Sequence, residues 1–190
     1  MRGRGTYGAT FSSSDPIRRT LWRHGHRNPM PPITALLQTM NDALRLGRTL
    51  ETLLPCREFL ILDHHSADAT RRIARDYGAR IVDANNQAAV SHYLDLARCD
   101  WILCLGPGEA ITESLQATLF EWSALPSERV ADSPAFSVFV REQTAETWLE
   151  RPAPETRLIP RRWPQWHGRF PAPDPSAGTL EGELLHFTFP

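Results

Sequence analysis

Asp63-His64-His65-Ser66-Ala67-Asp68-Ala69-Thr70 gathers more reactive side chains than any other stretch of the chain. It follows the apolar run Phe59-Leu60-Ile61-Leu62 and precedes a helical pattern. A strand that ends in an acid and turns into a helix is a common place for a nucleotide or metal site. Asp63 can accept hydrogen bonds from a base or ribose, or it can cap the helix that follows. With His64 and His65 it could also offer one carboxylate and two imidazoles to a Mn-type ion. Asp68 and Thr70 suit a ligand contact or, more simply, a helix start. Thr39 and Asn41 close an earlier apolar run, at the strand end where open α/β sheets bind ligands. Glu109 follows Gly106-Pro107-Gly108 and is a candidate general base or lone cation ligand, or else a solvated charge. Arg161, Arg162 and Arg169 with Trp163, Trp166 and His167 suit phosphate or sugar recognition by charge and stacking. The same cluster could simply be a Pro-rich loop pinned by its Trp residues. His186, in an alternating run, faces either a cleft or the packed interior.

These residues need a scaffold, and residues 33–125 supply an alternation of strand and helix. Ile33 to Thr39 is a near-continuous apolar strand. Asn41 or Asp42 caps a helix whose Leu44, Leu46, Leu50, Leu53 and Leu54 fall near one face, and Pro55 ends it. Phe59 to Leu62 is a second strand. Ser66 or Asp68 caps a second helix, closed by Gly78. Ala79 to Asp83, a helix over Gln87 to Arg98, and Trp101 to Leu105 continue the pattern. Thr112 caps a helix running to about Ser123. This alternation implies a doubly wound parallel sheet. After residue 126 the pattern changes. Ala135 to Val140 and Leu184 to Phe189 read as antiparallel or edge strands flanking a segment rich in Pro, Arg and Trp. There are no internal repeats.

Composition narrows the classes. The 190 residues are 41% hydrophobic and 23% charged, enough for one domain with a sizeable core. A net charge of −1 gives no electrostatic case for nucleic acid. All 21 basic residues are Arg, which removes every Lys-based mechanism. Cys56, Cys99 and Cys104 lack metal-ligand spacing, and a reduced, cytoplasmic setting is expected. No apolar stretch approaches about 18 residues, so no membrane-spanning helix is expected. The N-terminus lacks the apolar region of a secretory signal. Residues 1–32, with six Arg and one Asp, read as a disordered basic tail or an arm that touches acidic lipid or a partner.

Taken in order, these landmarks resemble glycosyltransferase family 2 with its GT-A fold, and most of all the subgroup that adds sugars to lipopolysaccharide cores. Ile33-Thr-Ala-Leu-Leu-Gln-Thr-Met-Asn-Asp42 is similar to the family's opening strand ending in Thr-Tyr-Asn-Glu. Asp63 to Thr70 is similar to its Asp-Ser-Gly-Ser-Thr-Asp-Gly-Thr turn. Ile73 to Ala79 resembles the helix end and third-strand entry. Ala97 to Leu105 resembles the run before the family's metal motif. Thr156 to Arg162 and Gly178 to Phe189 resemble the subgroup's closing segments. The resemblance covers about 33–189 and implies an α/β, GT-A-like, Rossmann-type, mainly parallel sheet flanked by helices, with C-terminal antiparallel additions. It divides the domain at 33–190 into a nucleotide-binding half, 33–125, and an acceptor-side segment, 126–190.

The resemblance further implies transfer of a sugar from a nucleotide-diphosphate donor to a cell-envelope glycan or lipid-glycan. Thr39, Asn41, Asp63 and Asp68 would hold the nucleotide, and Glu109 would be catalytic. Arg161, Arg162 and His186 would serve the diphosphate or acceptor side. The protein would work in the cytoplasm, with peripheral contact at the inner membrane face. One departure changes the chemistry. Gly106-Pro107-Gly108-Glu109 stands where the family has Asp-Ala-Asp-Glu, whose carboxylates hold a divalent cation against the donor diphosphate. The family's basic helix residue corresponds to about Val90, and its turn glycines to His65 and Ala69. No tightly bound metal is expected, a weakly held Mg or Mn is compatible, and Asp restored at 106 and 108 should create cation affinity if the loop has GT-A geometry. The rival reading is a non-catalytic pseudoenzyme that keeps the fold as a binding or scaffolding partner. A phosphoesterase of the Asp-His-His type needs an upstream Asp-rich motif, and the only upstream acids are Asp15, Asp42, Glu51 and Glu58.

Overall fold

The computed structural model describes residues 32–85, 88–125, 133–151 and 153–189. The expected tail, save Pro32, lies outside the described residues. The elements in chain order are β1 (Ile33–Thr39), α1 (Ala43–Thr52), β2 (Glu58–Asp63), α2 (Thr70–Asp76), β3 (Arg80–Asp83), a 3-10 helix (Val90–Leu96), β4 (Trp101–Leu105), β5 (Glu109–Ile111) and α3 (Glu113–Ser123). There follow β6 (Phe136–Gln143), β7 (Trp148–Glu150), β8 (Glu155–Pro160), β9 (Trp166–His167), β10 (Phe170–Pro171) and β11 (Gly178–His186). One sheet runs in the order β3-β2-β1-β4-β8-β6-β11-β5, with β7 on β6, and β9 and β10 form a separate hairpin. Strands β3, β2, β1 and β4 pair in parallel, and β8 joins β4 antiparallel. The expected α/β sheet with antiparallel additions is therefore what the chain builds.

Strand β1 is buried along its whole length because both sheet faces are covered. Ile33, Ala35 and Leu37 point to the face packed by α1, α2 and α3. Leu36 points to the other face, with Val90 and Leu94 of the 3-10 helix and Trp163. Trp101, Trp122 and Phe136 meet with ring centroids 5.1 to 5.8 Å apart. They bind the parallel half to the antiparallel half.

Helix α1 shows how burial outweighs propensity. Leu46 and Leu50, with Leu53 just past the helix end, are buried, each worth about 2 kcal/mol. Gly47 costs about 1 kcal/mol of propensity in the same helix. Leu44, expected on the core face, is 78% exposed. It precedes Leu46 by two positions, roughly 200° around the helix, so the two cannot share a face. Leu54, also expected inside, is exposed beyond the helix end.

Three other elements differ from expectation. The helix expected over 87–98 is a 3-10 helix of seven residues with no side-chain cap bond. Its His92, Tyr93 and β-branched Val90 are weak helix formers. The strand expected from Ala135 to Val140 runs instead from Phe136 to Gln143. The final strand starts six residues before Leu184 and ends at His186. Thr112 caps α3 as expected, accepting from the Leu115 amide at 3.3 Å. Gly78, with φ of +74°, follows α2 in the left-handed region. No helix among the described residues is long and apolar enough to cross a membrane.

Gly182 sits in β11 at φ +92°, where the register against β6 shifts. A Cβ there would lie 2.3 Å from the Leu115 amide nitrogen, at the start of α3. The contact is backbone, so it cannot swing away. Gly182→Ala should lower stability by about 2–4 kcal/mol, combining overpacking with a left-handed alanine. Urea unfolding followed by tryptophan fluorescence measures this, and an unchanged midpoint would contradict the packing described.

Candidate functional site

A cavity of about 370 Å³ opens at the carboxyl ends of β1 and β4. These adjacent parallel strands are where the chain order reverses: β1 leads through α1 to β2 on one side, and β4 turns toward the antiparallel half. Open α/β sheets bind ligands at such a crevice because diverging connections leave it unfilled. Gln38, Met40 and Asp42 line it from β1 and its loop, and Gly106 to Glu109 line it from the β4–β5 turn. The antiparallel half contributes Arg151, Arg157 and His186, and the β9–β10 hairpin contributes Arg169 and Phe170.

Arg157 lies fully buried at the base of this site. Its Nη1 donates to the Cys104 carbonyl at 3.2 Å and to Glu109 Oε2 at 3.0 Å. Its Nη2 donates to Glu109 Oε1 at 2.7 Å and to Glu155 Oε2 at 2.8 Å. The Phe170 ring packs on the guanidinium with its centroid 3.9 Å away. Glu109 Oε2 also accepts the Gly106 amide at 2.7 Å, so this carboxylate closes its own turn. Arg151 continues the chain of charges, paired with Glu155 and with Glu142, and its Nη2 lies 3.4 Å from His186 Nδ1. Arg45 pairs with Asp42. Burial pushes the Glu155 carboxyl up, but Arg157 and Arg151 outweigh that and hold it below its ordinary value.

The four residues expected to hold a nucleotide sit beside the cavity, on the β1 and β2 loop ends. Thr39, Asn41, Asp63 and Asp68 do not line the cavity; they tie two loops together. Asp63 is fully buried and accepts from Thr39 Oγ1, the Ser66 amide and hydroxyl, and Arg71 Nη1. Asn41, in the left-handed region at φ +58°, accepts the Ala67 amide at 2.8 Å, and its own amide donates to Ser66 Oγ at 2.9 Å. Asp68 accepts the Ala43 amide and the Thr70 amide, so it satisfies the first turns of α1 and α2 together. His65 is exposed at φ +57°, and no cluster of three metal-ligating residues occurs among the described residues.

Glu109 and His186 do reach the cavity wall. Arg161 and Arg162 do not. Strand β8 runs antiparallel to β4, so Pro160 pairs with Trp101 at the opposite end of the sheet. Arg161 there bonds the Ala97 carbonyl and faces Asp100 at 3.5 Å. The cationic residues that do line the cavity include Arg45, Arg151 and Arg157, none of which stood out in the sequence. An arginine inside the apolar strand Leu158-Ile159 was the available signal for Arg157. Burial pushes the Cys104 thiol up to about 12, which makes it a poor nucleophile.

The divalent cation implied by the family resemblance does not fit these residues. Glu109 offers its carboxylate to Arg157 and Gly106 already. A Cβ on Gly108 would meet the Phe187 carbonyl oxygen at 2.9 Å, and one on Gly106 would sit 3.6 Å from the Glu109 carboxyl. An Asp at 108 would therefore need the Phe187 backbone to move before it could serve a cation, whereas one at 106 meets only ordinary contact.

No family model and no curated protein matches the chain. Solved structures do. Staphylococcus aureus TarS 1–349 in complex with UDP-GlcNAc superposes with a TM-score of 0.49 and 16% identity, covering 60% of this chain and 36% of that one. Mannosyl-3-phosphoglycerate synthase from Rubrobacter xylanophilus gives 0.40 and 20%, covering 58% and 39%. Glucosyl-3-phosphoglycerate synthase from Mycobacterium tuberculosis, with Mn2+, UDP and glucosyl-3-phosphoglycerate, gives 0.39 and 16%, covering 58% and 43%. The chain thus spans less than half the length of each of these proteins.

Two outcomes follow from the buried charges. Arg157→Met leaves Glu109 buried without its partner and should cost about 3–5 kcal/mol. Adding Glu109→Met should recover a large part of that loss in urea unfolding. For Asp63, burial raises the carboxyl, but hydrogen bonds from Ser66, Thr39 and Arg71 outweigh it and hold it below its ordinary value. A depressed folded-state value stabilises above the unfolded value of about 4 and loses that contribution as pH falls through the folded value. The wild-type urea midpoint should therefore fall below about pH 4, and Asp63→Asn should show a lower midpoint at pH 7 and a flatter acid limb.

Proposed function

We propose that the chain is a glycosyltransferase-2-like protein that binds a nucleotide-diphosphate sugar in the cavity at the ends of β1 and β4. The observation that carries this reading is the cavity's position at the sheet's switch point, with arginines on its walls. The acceptor hydroxyl would attack the anomeric carbon from the face opposite the diphosphate. The bond to the diphosphate oxygen breaks, the diphosphate departs with the electron pair, and the hydroxyl proton passes to a base. The acceptor class, a cell-envelope glycan or lipid-glycan of the lipopolysaccharide-core type, rests on the sequence landmarks at 156–162 and 178–189. Such a reaction belongs at the cytoplasmic face of a membrane. Asp63, Asn41, Thr39 and Asp68 act here by fixing the two loops beside the nucleotide, and His186 lies on the acceptor side.

A second reading keeps the binding and drops the transfer. It is favoured by the state of the two carboxylates on the cavity wall. Asp42 is paired with Arg45, and Glu109 accepts from Arg157 and Gly106. Both are already engaged by cations, so Glu109 is better placed to position the turn than to act as base.

Titration calorimetry with UDP-sugars and GDP-sugars should give saturable one-site binding to one of them. Heat from none of them would end both readings. Binding followed by release of the nucleoside diphosphate on adding glycan acceptors supports transfer. Binding with no turnover across those acceptors supports the non-catalytic form.

A further inference from the structure

We infer that the cavity grips its anion through arginines instead of a divalent cation, and that Arg169 is the residue that meets it. Naming the anion as a diphosphate rests on the donor-binding reading above.

Four arginines and two carboxylates line the cavity, and two more carboxylates, Glu142 and Glu155, pair with arginines of that lining. The four are not equivalent. Arg45 is offset by Asp42, Arg157 by Glu109 and Glu155, and Arg151 by Glu155 and Glu142. Arg169 is exposed, and among the described residues no carboxylate pairs with it. It is the cavity cation whose charge is not already neutralised by a neighbour.

Its placement is also fixed. Arg169 and Gly168 form the two-residue turn of the β9–β10 hairpin, in which His167 pairs with Phe170. Gly168, at φ +62°, supplies the left-handed conformation that such a turn needs. Two contacts hold the hairpin against the sheet. Gln38 Nε2, at the end of β1, donates to the Arg169 carbonyl at 2.9 Å. Phe170, the next residue, stacks on the buried Arg157. The backbone of Arg169 is thus pinned while its side chain stays in solvent. Arg45, also on the cavity lining, lies against the Gly106–Gly108 turn, its Cδ 3.5 Å from where a Gly108 Cβ would be. A dianionic diphosphate entering between them meets a guanidinium fork that suits paired phosphate oxygens. The turn that would bind a cation in this position instead closes on Arg157 through Glu109.

The test is titration calorimetry in EDTA with inorganic pyrophosphate and, separately, UDP. Wild-type protein should bind pyrophosphate without added metal. Arg169→Ala should weaken binding by about tenfold to a hundredfold, the loss of one charge-assisted contact. Arg169→Lys should recover part of it, and Arg75→Ala, an exposed arginine on α2, should change nothing. Arg169 is exposed, so its substitution leaves the fold intact, and thermal unfolding confirms that. Binding that appears only with Mn, or that survives Arg169→Ala unchanged, overturns the inference and leaves the donor reading standing. Pyrophosphate bound through Arg169 with no binding of UDP- or GDP-sugars upholds the inference and removes the donor reading. No binding of either overturns both.

Discussion

The buried pair of Arg157 and Glu109 is the interaction on which the site depends. Removing a guanidinium and a carboxylate from water costs several kcal/mol per ion, so the pair is tolerable only with nearly every polar atom satisfied. Here four donor contacts and one aromatic face surround the guanidinium, and only Nε lacks a partner among the described residues. The contacts belong to different elements: the end of β4, the start of β5, the start of β8 and the β10 hairpin. The pair therefore acts less as a source of net stability than as a jig. It sets where the β4–β5 turn lies relative to the hairpin, and the space between them is the cavity. Arg151, Glu155 and Glu142 extend the same arrangement toward His186, so the charge pattern of one wall is fixed as a unit.

A second polar network works on the other side of the opening. Asp63 holds Thr39 and Ser66, Ser66 holds the Asn41 amide, and Asp68 satisfies both helix starts. Two loops that would otherwise move independently become one rim. Rigid rims of this kind put Gln38, Met40 and Asp42 at the cavity wall. The residues with the most suggestive chemistry in the sequence thus bond to one another across this rim.

That division explains what could be read from sequence. The parallel half was legible because its signals are local: apolar runs, a cap at Thr112, and a closing glycine at 78. The failures there were also local in origin. Leu44 was grouped with Leu46 although two positions turn a helix to its opposite side. Val90, His92 and Tyr93 lack the propensity for the α-helix that alternation suggested. The site was far less legible because long-range pairs make it. Gln38 reaches a residue 131 positions away, and Arg157 reaches one 48 positions away. No spacing rule brings those together. The antiparallel direction of β8 also carries Arg161 and Arg162 to the far end of the sheet while it brings Arg157 inward. A strand read without its direction cannot separate those outcomes.

The glycines at 106 and 108 tie the sequence departure to the closure of the fold. Phe187 donates its amide to the Gly108 carbonyl at 2.9 Å, and its own carbonyl occupies the space a Cβ at 108 would need. The chain beyond β11 therefore packs directly on the turn, and it can do so because residue 108 has no side chain. The Phe187 ring lies under Arg48 and edge-on to Trp148, so the same contact draws α1 and β7 together. A carboxylate at 108 would displace that backbone and place negative charge beside a carbonyl oxygen. Metal ligation and this closed turn are thus alternative uses of the same few ångströms. In this chain the space goes to packing and to an internal ion pair, and the cationic character of the site comes from arginine.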